Sequence, residues 1–141
     1  MTTFQKFSLI FLRLSLGGLF LYAGITKVLD PSWSAAGYLA GAKNFPTLFA
    51  WFASPTILPT VNFLNEWGLT LLGASLILGL AVRLSSWLGA ALMLLYYLAL
   101  PFPYPNAHAL IIDEHIIYIF ALLVLAAYDA GSVWSLSWRR G

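Results

Sequence analysis

The chain has 141 residues, of which 61% are hydrophobic and only 9% are charged, whereas soluble domains carry about a quarter charged residues. A formal net charge of +2 provides too few cations to neutralise a row of phosphates, so nucleic acid is excluded as a partner. Because the sequence contains no cysteine, disulfides, iron–sulfur clusters and covalently attached c-type haem are excluded as well. The composition indicates an integral membrane protein whose main partner is the lipid bilayer.

Four stretches are apolar and long enough to cross a membrane, since a spanning helix needs about 20 mostly apolar residues. They are residues 7–28, 56–80, 83–100 and 108–128. Proline and glycine mark their ends: Pro31 follows the first stretch, Pro101 ends the third and Gly131 follows the fourth. The pattern predicts an all-α integral membrane protein that forms one domain, an antiparallel four-helix bundle.

The segment between the first two stretches, residues 30–54, is too polar to cross but rich in aromatic residues such as Trp33 and Phe49. Pro31 and Pro46 each suit the first turn of a short helix. Aromatic side chains of this kind favour a helix lying in the plane of the lipid headgroups. We therefore predict an interfacial segment between helices 1 and 2.

The distribution of cations predicts the orientation. With four crossings both termini lie on one side, and that side carries most of the positive charges: Lys6, Arg83, Arg139 and Arg140. Lys27 and Lys43 lie on the opposite side. The positive-inside bias then predicts a multi-pass protein of the plasma membrane with both termini in the cytoplasm and the interfacial segment outside.

Polar residues inside the first stretch follow a helical spacing. Arg13, Gly17, Phe20, Gly24 and Lys27 are separated by 4, 3, 4 and 3 residues, which places them on one face of a helix. Glycines let a second helix approach closely, so this face is predicted to point into the bundle.

Further polar residues lie at the depth of Lys27. Asn62 and Glu66 share a face of the second helix, and Tyr118 lies one turn below Glu114 on the fourth. We expect Lys27, Glu66, Glu114 and either Asp113 or His115 to meet in the outer half of the bundle. Arg13 and Arg83 are expected in the inner half or at its interface.

Two interpretations of this cluster stay open. The charges could neutralise each other and only fix the helix register. Alternatively, Glu66 or Glu114 accepts protons and His115 donates them, as the binding and protonation of a quinone require. No metal site is predicted, because the paired Glu-x-x-His motifs of di-iron bundles are missing. His108 and His115 lie on one side of one helix and cannot hold a haem iron from opposite faces.

The sequence resembles the DoxX family. The resemblance rests on the stretch from Arg13 to Lys27, on Glu66 followed by Gly73, Gly79 and Arg83, on Glu114, and on the ending Asp-Ala-Gly-Ser-Val-Trp-Ser. The longer loop after the first span is similar to that of the DoxD-like membrane subunit of thiosulfate:quinone oxidoreductase. The resemblance implies a four-helix membrane fold and a link to quinone-coupled electron transfer. The positions that match polar positions of the family are Arg13, Lys27, Glu66, Arg83 and Glu114.

The leading hypothesis is a membrane subunit of a quinone-linked respiratory or sulfur-oxidising system, with other membrane proteins as partners. Its predicted catalytic residues are Glu66, Glu114 and His115. Its predicted quinone-binding residues are Lys27, Asn62, Tyr118 and Arg13. Whether the chain is itself an enzyme stays open. The alternatives are a non-catalytic scaffold subunit of a larger complex and a transporter of protons or small solutes, although no inverted repeat or broken helix supports the latter.

Overall fold

A computed structural model describes residues 1–135. Arg139 and Arg140, on which the predicted orientation partly depends, lie outside the described residues. Residues 1–135 form helices and connecting loops and no β-strand, which confirms the all-α prediction. The α-helices are α1 (Thr3–Val28), α2 (Ala36–Ala40), α3 (Pro46–Phe52), α4 (Leu58–Leu78), α5 (Val82–Ala99) and α6 (Glu114–Ala127). A 3₁₀ turn, Ala130–Ser132, follows α6.

Three helices, α1, α4 and α5, are long and apolar enough to cross a membrane. They coincide with the first three predicted stretches to within a few residues. The largest difference is the start of α1, which the sequence pattern predicts at residue 7. Thr2 and Gln5 form a capping box there, which satisfies free backbone N–H groups and lets the helix begin at Thr3.

The fourth predicted span is shorter than expected. Helix α6 has 14 residues, or about 21 Å at 1.5 Å per residue, against a hydrocarbon core of about 30 Å. The prediction of helix over residues 108–113 is wrong, because the Asp113 side chain accepts hydrogen bonds from the backbone N–H groups of His115 and Ile116 and caps α6 at that point. The four-crossing topology stays a prediction.

The four longest helices, α1, α4, α5 and α6, pack chiefly as two pairs, α1 with α4 and α5 with α6. All four contribute to one core that includes Phe20, Leu76 and Leu122. The first pair is in backbone contact. A Cβ atom on Gly24 would lie 2.3 Å from the Thr70 backbone nitrogen, and one on Gly73 would lie 2.3 Å from that of Leu21. The structure thus confirms that the glycine face of α1 points at a neighbouring helix.

The interfacial segment contains two short helices, α2 and α3, which pack on the end of α5 through a second small core around Leu39, Phe49 and Ala99. Helix α3 begins at Pro46, as predicted. No helix begins at Pro31, where the chain forms a turn. The Asp30 carboxylate accepts hydrogen bonds from the backbone N–H and the hydroxyl of Ser32 in this turn.

Candidate functional site

A cavity of about 430 Å³ lies at the end of the bundle that carries the interfacial segment. The C-terminal ends of α1 and α5 and the N-terminal ends of α4 and α6 surround it. The interfacial segment supplies much of its wall and gives it an aromatic character, through Trp33, Tyr38, Leu39, Phe49 and Phe52. Mostly apolar concave sites with a few polar groups are the usual form of small-molecule sites.

Each of the four long helices contributes one polar side chain with hydrogen-bonding capacity to this cavity. They are Lys27 from α1, Asn65 from α4, Tyr96 from α5 and His115 from α6. The structure therefore brings Lys27 and His115 to one cavity, as the sequence predicts. Asn65 and Tyr96 were not foreseen.

The ammonium group of Lys27 keeps free hydrogen-bonding capacity. Its Nζ donates to the Ala23 carbonyl oxygen at 3.0 Å and lies 5.4 Å from the centroid of the Trp33 ring. An ammonium carries three N–H donors, and the Ala23 carbonyl oxygen uses one of them. The contact with the Trp33 ring is an electrostatic attraction between the cation and the ring face and needs no hydrogen-bond acceptor. Lys27 can thus donate to a ligand in the cavity.

The polar groups of Asn65 and Tyr96 are engaged with protein atoms. The Tyr96 hydroxyl donates to Asn65 Oδ1, and Asn65 Nδ2 donates to the Val61 carbonyl oxygen at 2.8 Å. The Tyr38 hydroxyl donates to the Tyr96 carbonyl oxygen at 2.6 Å. Burial, aided by the charges of Asp113 and Glu114, raises the pKa of Tyr38 to about 12, so its hydroxyl remains protonated and holds α2 against α5.

His115 is paired with Asp113. His115 Nδ1 lies 2.7 Å from Asp113 Oδ2, and the Asp113 side chain is fully buried. The His115 ring also packs edge-on against Tyr96, with 6.0 Å between the ring centroids. Two neighbours therefore fix the orientation of the imidazole at the cavity wall.

The two predicted glutamates do not line the cavity. Glu66 follows Asn65 and is turned about 100° away from it around α4. Glu114 is exposed at the start of α6, where its Oε2 lies 3.5 Å from Asn106 Nδ2. Within residues 1–135 the one contact of ion-pair distance is the hydrogen-bonded Asp113–His115 pair, so the predicted convergence of Lys27 with both glutamates is not observed.

Two predicted ligand-binding residues have other contacts. Asn62 Oδ1 accepts a hydrogen bond from the Ala35 backbone N–H at 2.9 Å, and Asn62 Nδ2 donates to the Ser34 hydroxyl at 3.3 Å. Tyr118 packs against the hydrophobic core of the bundle. Asn62 therefore ties the interfacial segment to α4, and Tyr118 contributes to helix packing.

Arg13 lies at the other end of the bundle, about 21 Å from Lys27 along α1 at 1.5 Å per residue. Its side chain is buried, and its guanidinium donates to the carbonyl oxygens of Ala130, Val133 and Trp134 at 2.8, 2.9 and 2.7 Å. Arg13 does not line the cavity, so the ligand-binding role that the sequence predicts for it is not supported by its position. It instead holds the C-terminal segment against the helices.

A metal site is not predicted from the sequence, but three side chains lie close enough to share an ion. Ligand atoms of Asp113, Glu114 and His115 fall within 4.8 Å of one another. Asp113 and His115 direct their closest polar atoms at each other, which is the geometry of a hydrogen-bonded pair. The absence of a metal ligand set stays a prediction.

Replacing Asn62 by alanine is expected to loosen the interfacial segment. The change leaves the Ala35 N–H without its acceptor, which costs about 1–3 kcal/mol for a buried group. Hydrogen–deuterium exchange with mass spectrometry should show faster exchange around α2, with α4 unaffected. Thr60→Ala, at an exposed position of α4, is the matched control. Equal exchange in the two variants would contradict the assigned role.

The three apolar helices of spanning length define an integral membrane protein. The DoxX family model matches residues 8–102, which is more than half of the chain and includes α4, α5 and nearly all of α1. The chain belongs to the DoxX family. No curated protein and no solved structure is similar enough to match it. Helix α6, with the Asp113–His115 pair, lies beyond the matched residues.

Proposed function

We propose that this DoxX protein binds a lipid-soluble quinone or quinol in the cavity, as a subunit of a respiratory or sulfur-oxidising electron-transfer system. The observation that carries the proposal is the convergence of four polar side chains, one from each long helix, on a cavity with largely apolar walls. The outer half of the bundle, in the predicted orientation, is the place where the sequence predicts such a site.

The chemistry of the cavity suits this ligand. A quinone is a flat, apolar ring with polar oxygen atoms at opposite ends. Aromatic side chains such as Trp33 and Tyr38 can pack on the ring, Lys27 can donate to one oxygen, and His115 can contact the other. When bound, such a group would supply a redox couple in which the quinone takes up two electrons and two protons to become the quinol.

We further propose that the cavity opens towards the lipid between α4 and α5. Leu64 of α4 and Leu95 of α5 line the cavity, and both side chains have a large accessible fraction, as side chains at an open cavity mouth do. In a bilayer these two side chains meet lipid chains. A ligand with a long apolar tail could therefore place its ring in the cavity while its tail remains in the lipid, which favours a membrane carrier over a water-soluble one.

The proposal requires another subunit to supply or remove electrons. The sequence has no cysteine, so the chain cannot form a dithiol or iron–sulfur relay of its own. A partner protein would have to carry that step. The scaffold alternative is less well supported, because it calls for a charge cluster closed by ion pairs, whereas Lys27 has no carboxylate partner within residues 1–135.

Titration of the purified protein with a decyl-substituted benzoquinone tests the proposal. We expect saturable quenching of tryptophan fluorescence, because Trp33 lines the cavity. Lys27→Met should weaken binding at least about tenfold, since it removes a charged donor to the ring oxygen. Lys43→Met is the matched control, because Lys43 is exposed and does not line the cavity.

Non-saturable quenching, or equal losses in Lys27→Met and Lys43→Met, would contradict the proposed site. Glu66→Gln distinguishes the cavity from the cluster predicted from the sequence. Because Glu66 does not line the cavity, we expect its substitution to leave binding within about twofold of the wild type. A loss of affinity as large as that of Lys27→Met would indicate that the quinone binds at the glutamate cluster predicted from the sequence and not in the cavity.

A further inference from the structure

The contacts of Asp113 determine which nitrogen of His115 carries hydrogen. The carboxylate accepts from the backbone N–H groups of His115 and Ile116 at 3.0 and 3.3 Å and faces His115 Nδ1 at 2.7 Å. An ionised carboxylate has acceptors only. With Asp113 ionised, the hydrogen between the two side chains belongs to His115 Nδ1.

In the neutral imidazole, the other nitrogen is then an acceptor. His115 Nε2 makes no hydrogen bond to any residue in 1–135, and the ring lines the cavity. The other charged and titratable side chains that line the cavity are Lys27, Tyr38 and Tyr96. Outside the lining, carboxylate oxygens of Asp113 and Glu114 lie within 4.8 Å of a His115 ring nitrogen. Both tyrosine hydroxyls already donate to protein oxygens. The cavity thus offers a ligand N–H donors from Lys27 and an acceptor at His115.

We infer that Asp113 is a positioning residue that keeps His115 Nε2 as an acceptor, so that the cavity binds a hydroxylated ring, a quinol or phenol, in preference to the corresponding carbonyl compound. The inference rests on the proposed function, since it concerns the same cavity. One hydroxyl of a quinol donates to Nε2 while the oxygen of the other accepts from Lys27. A quinone has acceptors only, and one of its oxygens would face the Nε2 lone pair without a hydrogen between them.

The preference for quinol over quinone can be measured as the ratio of their two affinities. Leaving a buried acceptor without its donor corresponds to a loss of about tenfold or more in affinity. We therefore expect the quinol to bind at least about tenfold more tightly than the quinone. A two-electron couple shifts by about 30 mV for each factor of ten, so the bound couple should be easier to reduce than the free couple by at least that amount.

Substitution of Asp113 by asparagine gives the sharpest test, because it changes hydrogen-bonding chemistry with little change in shape. The amide oxygen can still cap α6, while the amide nitrogen donates to His115 Nδ1 and moves the ring hydrogen to Nε2. We expect the preference to reverse, with the quinone bound more tightly than the quinol. A purely structural role of Asp113 would instead weaken both ligands by the same factor.

The binding experiment uses the decyl-substituted benzoquinone and its quinol under anaerobic conditions at mildly alkaline pH. An alkylphenol and its methyl ether form a redox-inert pair, of which the wild type should prefer the phenol. Equal binding of quinol and quinone by the wild type, or an unchanged preference in Asp113→Asn, would overturn the inference and leave the proposed function standing. Absence of binding by either form would overturn both.

A spectroscopic measurement on the wild type covers the case in which Asp113→Asn does not fold. The chain has two histidines, so a His108→Gln background leaves the His115 ring as the only histidine signal. ¹⁵N NMR of the labelled ring at the same pH should show hydrogen on Nδ1 and a lone pair on Nε2. Hydrogen on Nε2 in this background would overturn the inference.

Discussion

Replacement of Arg13 by leucine is expected to destabilise the protein by about 3 kcal/mol or more and to release its C-terminal segment. The guanidinium of Arg13 donates to three carbonyl oxygens, of Ala130, Val133 and Trp134. Leucine donates to none of them, and a buried carbonyl left without a donor costs about 1–3 kcal/mol, which applies to those of Ala130 and Val133. Thermal unfolding in detergent and limited proteolysis of the C-terminal segment measure the two effects.

Two further variants separate charge from geometry. Arg13→Lys keeps the charge but loses the planar fork that spans several carbonyls, so we expect an intermediate loss of stability. Arg83→Leu is the control, because Arg83 is an exposed arginine at the same end of the bundle; its removal should change the unfolding free energy by no more than about 0.5 kcal/mol. Equal losses in Arg13→Leu and Arg83→Leu would contradict the role assigned to Arg13.

Alanine at Gly24 should separate α1 from α4. The added Cβ would meet Thr70 backbone atoms, N at 2.3 Å and Cα at 2.8 Å, and backbone cannot move aside as a flexible side chain can. We expect a loss of about 3 kcal/mol, at the upper end of overpacking costs. Gly73→Ala meets the Leu21 backbone at the same distance and should behave in the same way.

Gly18 and Gly68 provide matched controls on the same two helices, because a Cβ at either position would meet nothing within 4 Å. Alanine there should stabilise the helices by up to about 1 kcal/mol through its higher helix propensity. The two pairs of variants are therefore expected to change the unfolding free energy with opposite signs. Equal effects at Gly18 and Gly24 would show that the close approach of α1 and α4 is not maintained in the membrane.

Hydropathy alone predicts α1, α4 and α5, because a long apolar stretch in a membrane protein has few alternatives to a spanning helix. Glycine spacing also identifies the face of α1 that packs on α4. The start of α6 was missed because a single local contact, the cap formed by Asp113, outweighs an apolar stretch that continues upstream. The amino-acid composition around residues 108–113 does not reveal that contact.

The candidate site was predicted in part, for reasons that concern helix geometry. Lys27 and His115 line the cavity, whereas Glu66 does not, because one step along a helix turns a side chain by about 100°. Asn65 shares the buried face of α4 with Leu69, Leu72 and Leu76. Its helical spacing relative to these leucines is the pattern in the sequence that could have identified it as an inward-facing residue. The partners of Arg13 lie 117 to 121 residues away, a separation over which local patterns carry no information.

Photolabelling with an azido-substituted decylquinone shows where the quinone ring binds. After illumination, mass spectrometry identifies the modified residues. We expect label on residues that line the cavity, Trp33, Tyr38 or Tyr96, and loss of that label when unlabelled quinol is added. Label confined to exposed side chains such as Phe11 and Trp67, with no competition by the quinol, would contradict it.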